Sequence, residues 1–248
     1  MPSAVPTALA VLIALGLSNS PGCARSAPAA PDSPRASAPA GDGWRDTFPI
    51  DTSTLTPSGG GDYFPLRPGT VQRYRAEKGG EELTITVLDE TEVVDGVTTR
   101  IVEERETDEG ELVEVSRNFF AADPATGDVY YFGEDVDMYK DGKVSRSGAA
   151  AGAWRSGVNG ARFGLLIPGR PKLADRYYQE VAPGVAMDRA EVSALDASVN
   201  TPAGPFERCV HLKETTPLES GTSRKWFAPG VGLVKDDDMV LVSRTPAK

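Results

Sequence analysis

Histidine is almost absent from this chain. Among 248 residues only His211 is a histidine, and only Cys23 and Cys209 are cysteines. One histidine cannot make a His-x-x-x-His metal motif, and it nearly excludes hydrolases that use histidine as their base. No Gly-x-Ser-x-Gly elbow occurs, and no glycine-rich phosphate loop precedes a helix. A glycosidase needs only two carboxylates, but no segment singles out such a pair. The chain is therefore read as non-enzymatic, with no cofactor and no metal. With one cysteine close to the N-terminus, no structural disulfide is expected. Positive charge is also short: 26 Lys+Arg stand against 36 Asp+Glu, a net charge of −10. Phosphate binding needs a basic surface, so nucleic acid is not an expected partner. Attraction to anionic membranes by charge alone is disfavoured for the same reason.

Long apolar runs are missing as well. Ala8–Leu17 has about ten residues, too short to span a bilayer and suited to the core of a secretion signal. Nothing from Met1 to Cys23 is charged except the terminal amine, and a start codon placed elsewhere would account for that. Gly22-Cys23 fits the acylation box of bacterial lipoproteins, whereas Pro21 departs from it. Residues 1–22 are read as a signal peptide and Cys23 as a lipidation site that would hold the protein to a membrane. The alternative is that Cys23 is removed with a signal cleaved near Ala27 to Ala30. Residues 23–62, rich in Pro, Ala, Ser and Gly, read as a disordered tether that cannot bury enough apolar area to fold.

From residue 63 onward the sequence is strand-like and repeated. Leu83, Ile85 and Val87 alternate with Thr84 and Thr86, and Val113 and Val115 flank Glu114, the period of half-buried strands. Acid-Gly and Gly-acid pairs at Asp95-Gly96, Glu109-Gly110, Gly127-Asp128 and Asp141-Gly142 suit tight hairpin turns. The repeat pairs Arg73–Arg75 with Arg176–Tyr178, and Leu88-Asp89 with Leu195-Asp196. It also pairs Gly96 with Gly204, Arg100–Thr107 with Arg208–Thr215, and Arg117–Ala121 with Arg224–Ala228. Two copies mean a doubled supersecondary unit rather than a solenoid. The expected fold is all-β: one domain over residues 63–244, with pseudo-repeats at about 64–135 and 168–238. It is a single curved antiparallel sheet of about nine to twelve strands, a half-barrel or open barrel built from two meanders.

Four features bear on a site. Cys209 and His211 share a strand face, but side chains two apart run parallel, roughly 6 to 7 Å apart at their base, which does not suit a nucleophile and its base. The run Glu134–Gly142 fails the calcium-loop spacing, because Tyr139 and Lys140 occupy the fifth and sixth positions counted from Asp135. Asp236-Asp237-Asp238 alternates between faces. Solvated charge is the expectation for both acidic clusters. Between the repeats, Ser145 to Gly164 lacks turn-strand-turn spacing. It is expected to pack across the sheet with Trp154, Phe163, Leu165 and Leu166 as anchors, either as plain core packing or, in the functional version, as a lid over an apolar pocket.

The opening Tyr63–Thr70 with Arg73–Arg75, and the closing Trp226-Phe-Ala-Pro-Gly-Val-Gly-Leu-Val-Lys235, resemble a broad, largely uncharacterised group of bacterial exported and lipoprotein β-domains. The resemblance implies a location in the cell envelope, anchored or secreted, and carries no site residues. Two functions are expected from the chain. The first is binding of a lipid or other apolar or amphipathic ligand in the curved sheet. The second is a scaffold or protein-interaction module with no small-molecule ligand, using an edge strand or an aromatic surface.

Overall fold

A computed structural model describes residues 43–247. The signal segment, Cys23 and the tether up to residue 42 lie outside the described residues. The first meander is β1 (Val71–Ala76), β2 (Glu82–Val94), β3 (Val97–Asp108), β4 (Glu111–Ala122) and β5 (Val129–Lys140). Its turns use the acid-Gly pairs: φ is 52° and 77° at Asp95-Gly96, 49° and 84° at Glu109-Gly110, and 53° and 71° at Asp141-Gly142. Two successive positive φ values give the hairpin turn whose twist matches that of the strands.

Short strands come next: β6 (Lys143–Ser147), β7 (Trp154–Arg155), β8 (Arg162–Ile167), β9 (Arg176–Tyr178) and β10 (Glu180–Val181). The second meander is β11 (Arg189–Thr201), β12 (Gly204–Thr215), β13 (Ser223–Ala228), β14 (Gly232–Asp236) and β15 (Met239–Thr245). The strand order is β10-β8-β5-β4-β3-β2-β1-β15-β14-β13-β12-β11-β9, with β6 and β7 both paired to β5. All are antiparallel, and the sheet curls into a barrel that is nearly closed. The described residues hold fifteen strands rather than nine to twelve. The surplus is short: the stretch expected to leave the sheet instead pairs with it as β7 and β8.

The repeat is visible strand by strand. β2 and β11 each have 13 residues, and β3 and β12 each have 12. The matched Leu-Asp dipeptides mark a bulge in both hairpins. Register breaks between Val87 and Thr91 in one copy, and between Ala194 and Ala197 in the other. Extra residues on one strand bend it, so the repeated dipeptide places a corner of the barrel.

The barrel closes at a seam. β9 and β10 are one extended segment broken at Gln179. β9 pairs with β11 over three residues, and β10 pairs with β8 over two. Gly164 lets β8 approach this segment, since a Cβ there would lie 2.3 Å from Gln179 O and 2.6 Å from Tyr178 O. Gly164→Ala should therefore cost about 2 kcal/mol or more, because backbone rather than a flexible side chain must move. Thermal unfolding checks this, and an unchanged Tm would show that the seam has slack.

The N-terminal residues brace the same seam. Arg45 N donates to Arg176 O (3.1 Å) and Tyr178 N to Arg45 O (2.9 Å), a parallel bridge on the outer edge of β9. Phe48 packs on Tyr130 and Phe163, with ring centroids 5.8 and 6.5 Å apart. Leu55 is buried, and Thr56 exchanges two backbone hydrogen bonds with Ala122 (2.9 and 2.8 Å). Residues 44–62, expected to belong to the tether, thus include segments that pack on the barrel. Phe48, Ile50 and Leu55 supply apolar area that the Pro/Ala/Ser stretch ahead of them lacks.

Candidate functional site

Alternation along each strand sends one set of side chains into the barrel. Leu83, Ile85, Val102, Phe120, Tyr131, Leu166, Val210, Leu212 and Phe227 fill it and are buried. At the end of the barrel near the β3–β4 and β14–β15 turns, the inward residues are acids. Glu104, Glu114, Glu134, Glu214 and Asp236 are each 5% exposed or less, and Lys225 is 4% exposed; Glu180, opposite Phe163 at the seam, is 1% exposed. Register brings them together. Glu104 lies opposite Ser116, Glu114 opposite Met138, Asn118 opposite Glu134, and Lys225 opposite Asp236. Sequence reasoning left Glu134 and Asp236 in solvent; burial overturns that, because their positions face inward. The signal was present for some of the others: Val102 and Glu104 share a face, as do Leu212 and Glu214.

Lys225 Nζ donates to Glu214 in direct contact and lies 3.7 Å from Asp236. Burial pulls the Lys225 ammonium down, but Asp236 and Glu214 outweigh it and hold Lys225 protonated. Gln179 Nε2 donates to the other Glu214 oxygen (2.9 Å) and to Leu166 O (3.2 Å). Burial, with the charge of Glu114 next, pushes Glu104 up to about 8 against the opposing pull of Lys225. Burial likewise raises Glu114 to about 7 against Arg146 on β6. Burial lifts Asp236 to about 7 despite Lys225, whose proton is donated to Glu214. Asp188, just before β11, reaches about 7 through burial and then Glu214.

Glu134 and Glu180 are pushed well above the carboxylate range, first by burial and then by Glu114 and Asp188 respectively. Neither oxygen of Glu134 has a hydrogen-bond partner. The Tyr131 hydroxyl favours the Glu134 carboxylate by proximity, yet it donates its proton to Asn118 Oδ1 at 2.7 Å.

The cavity among Phe64, Ile85, Glu104, Gln179, Glu214 and Lys225 is about 20 Å³, enough for roughly one water molecule. No group of three or more metal-ligating side chains converges among the described residues. Burial favours the protonated form of these acids, and Lys225 pairs with Glu214 and Asp236.

Trp154, Phe163, Leu165 and Leu166, the anchors named from the sequence, all lie in strands of the sheet. Trp154 pairs across from Glu134 and packs edge-on against Tyr131 at 5.3 Å. Phe163 stacks on Phe132 at 4.8 Å on the outer face. Leu165 and Leu166 are successive strand residues and point to opposite faces, Leu166 into the lumen. Pairing of β8 with β5 and β10 satisfies its backbone, which a detached lid would leave open. A groove does open on the outside next to Trp154. Its volume is about 320 Å³, with Ala149, Ala153, Val158, Ala182 and Val185 in its walls. Val158 is 50% and Val185 39% exposed. The charged groups beside it, Asp135 and Arg155, pair at 2.6 Å. A second groove of about 390 Å³ includes Ser243 and Arg244 in its wall.

Cys209 and His211 do not meet. His211 stacks flat on Trp226 (4.4 Å, 5°), and its Nδ1 lies 2.9 Å from Ser193 Oγ. The Cys209 thiol is buried, and burial followed by Glu207 raises it to about 11. That is the opposite of what an activated nucleophile requires.

No protein-family model, no curated protein and no solved structure matches this chain.

Proposed function

We propose that this is an exported, non-enzymatic protein of the cell envelope that works as an interaction module. The groove beside Trp154 receives apolar side chains of an extended protein partner. The observation that carries this reading is the contrast between two spaces: about 320 Å³ outside, walled by alanines and half-exposed valines, and about 20 Å³ inside. An apolar ligand held within the sheet would need roughly 300 Å³ or more of lumen, which gives that alternative less support. Arg155 beside the groove pairs with both Asp135 and Glu92, so it is already engaged by carboxylates rather than held ready for a lipid headgroup.

Export and an acyl anchor at Cys23 belong to the same proposal, on the strength of Ala8–Leu17 and Gly22-Cys23. So does kinship with exported bacterial β-domains. The two segments that carry that resemblance pack together: Gly230 N donates to Asp62 O (2.7 Å), and the side chains of Gln72 and Tyr74 both donate to Leu233 O (3.1 and 2.9 Å).

The test is affinity capture with native mass spectrometry from the protein's own host. Wild type should carry a reproducible protein partner. Val158→Asp and Val185→Asp, both at exposed positions, should lose it while keeping the wild-type Tm. Co-purified lipid with no protein partner would overturn the module reading and favour the apolar-ligand one.

A further inference from the structure

The short pairings that close the barrel lie beside its most crowded buried carboxyls. β8–β10 and β9–β11 close the sheet over two and three residue pairs. Gln179, between β9 and β10, ties β8 to β12 through Leu166 O and Glu214. Glu180, the next residue, is 1% exposed and accepts from Asp188 N at 2.9 Å. Glu134 on β5, 0% exposed, has no hydrogen-bond partner on either oxygen and lies opposite Trp154, where β5 passes from β8 to β7. The groups that face Glu134 are Tyr131 on its own strand, Glu114 on β4, Glu104 on β3, and Asp188. Those that face Glu180 are Asp188, Glu134 and Glu214. The cations of this end are committed elsewhere: Lys225 to Glu214 and Asp236, and Arg146 beside Glu114. A carboxylate buried without a hydrogen bond or a counter-charge is far more costly than the neutral acid.

We propose that the seam is a proton-operated latch: while Glu134 and Glu180 carry their protons the β8–β10 contact closes the barrel, and when those protons leave the seam opens. Burial and the surrounding acids hold both groups in the protonated form well above the ordinary carboxylate range. The long β2–β3 and β11–β12 hairpins stay paired through the change. The Ala182–Ala186 turn just past β10 is released with it.

Hydrogen–deuterium exchange on the full chain tests this at about pH 6 and at the highest pH at which residues 82–108 keep their protection, with labelling times scaled for intrinsic base catalysis. Peptides covering residues 162–167 and 176–181 should exchange roughly tenfold faster, after scaling, at the higher pH, while residues 82–108 keep their protection. Glu134→Gln with Glu180→Gln should keep the seam protected at both pH values. Glu180→Gln alone gives the same readout should the double variant fail to fold. Equal scaled exchange at both pH values, loss of protection across the whole sheet at once, or glutamine variants that open like wild type would each overturn the latch.

Discussion

Replacing Lys225 with methionine should lower folding stability by about 3 to 5 kcal/mol near pH 8, among the largest effects of any single substitution here. The side chain is 4% exposed and is the contact partner of Glu214, with Asp236 at 3.7 Å. Methionine fills similar volume, so packing changes little. What is lost is the only buried ammonium in a cluster whose other ionisable members are acids. At about pH 5 the cost should shrink, because protonation of the neighbouring acids removes the repulsion that Lys225 offsets. Urea denaturation at the two pH values measures both. A loss below about 1 kcal/mol near pH 8 would mean that water reaches the cluster and the burial argument fails.

Wild-type protein should itself lose stability as the medium turns alkaline. Carboxyls raised in the folded state bind protons that the unfolded chain has already released. Their contribution is complete below the ordinary values of 4.5 for glutamate and 3.8 for aspartate, and is lost as pH climbs through about 7 for Glu114 and Asp236 and about 8 for Glu104. Lys225, raised above its ordinary value, stays protonated throughout this window and does not reverse the trend. Between about pH 5 and pH 8.5 the Tm should fall by roughly 10 °C, equivalent to about 3 kcal/mol for a domain of this size. Glu104→Gln should flatten the slope and raise the Tm at the alkaline end. Scanning calorimetry across that range decides the matter, and a Tm that rises with pH would contradict the buried-acid account.

The architecture was legible because strand period and turn chemistry are local. Thr84 and Thr86 between Leu83, Ile85 and Val87 declare a half-buried strand, and an acidic residue before Gly declares a turn. The Leu-Asp repeat announced a matching feature in both halves, though only the register identified it as a bulge. The acidic lumen was much harder to see. Glu134 follows Gly133, at φ 133°, next to a break in β4–β5 register. A local irregularity shifts which residues face inward, and alternation counted across it gives the wrong side. Glu180 lies in a two-residue strand too short to carry a period. Trp154, Phe163, Leu165 and Leu166 signal burial, but whether their stretch pairs as strands depends on whether β5 has a free edge. That edge is created by β4, more than thirty residues upstream.

The path by which the chain enters the barrel has a mechanical consequence. Tension applied ahead of Gly43 reaches the fold through the two hydrogen bonds between Arg45 and the β9 backbone. Trp44, with Arg176 and Arg189 at 5.5 and 4.6 Å from its ring, and Phe48 on Tyr130 share that load. The force therefore arrives first at the three-pair contact of β9 and, through Phe48, at one point on β5. Under a pull from an anchored N-terminus the protein would extend in two stages, the seam yielding at low force and the paired meanders resisting to a much higher one.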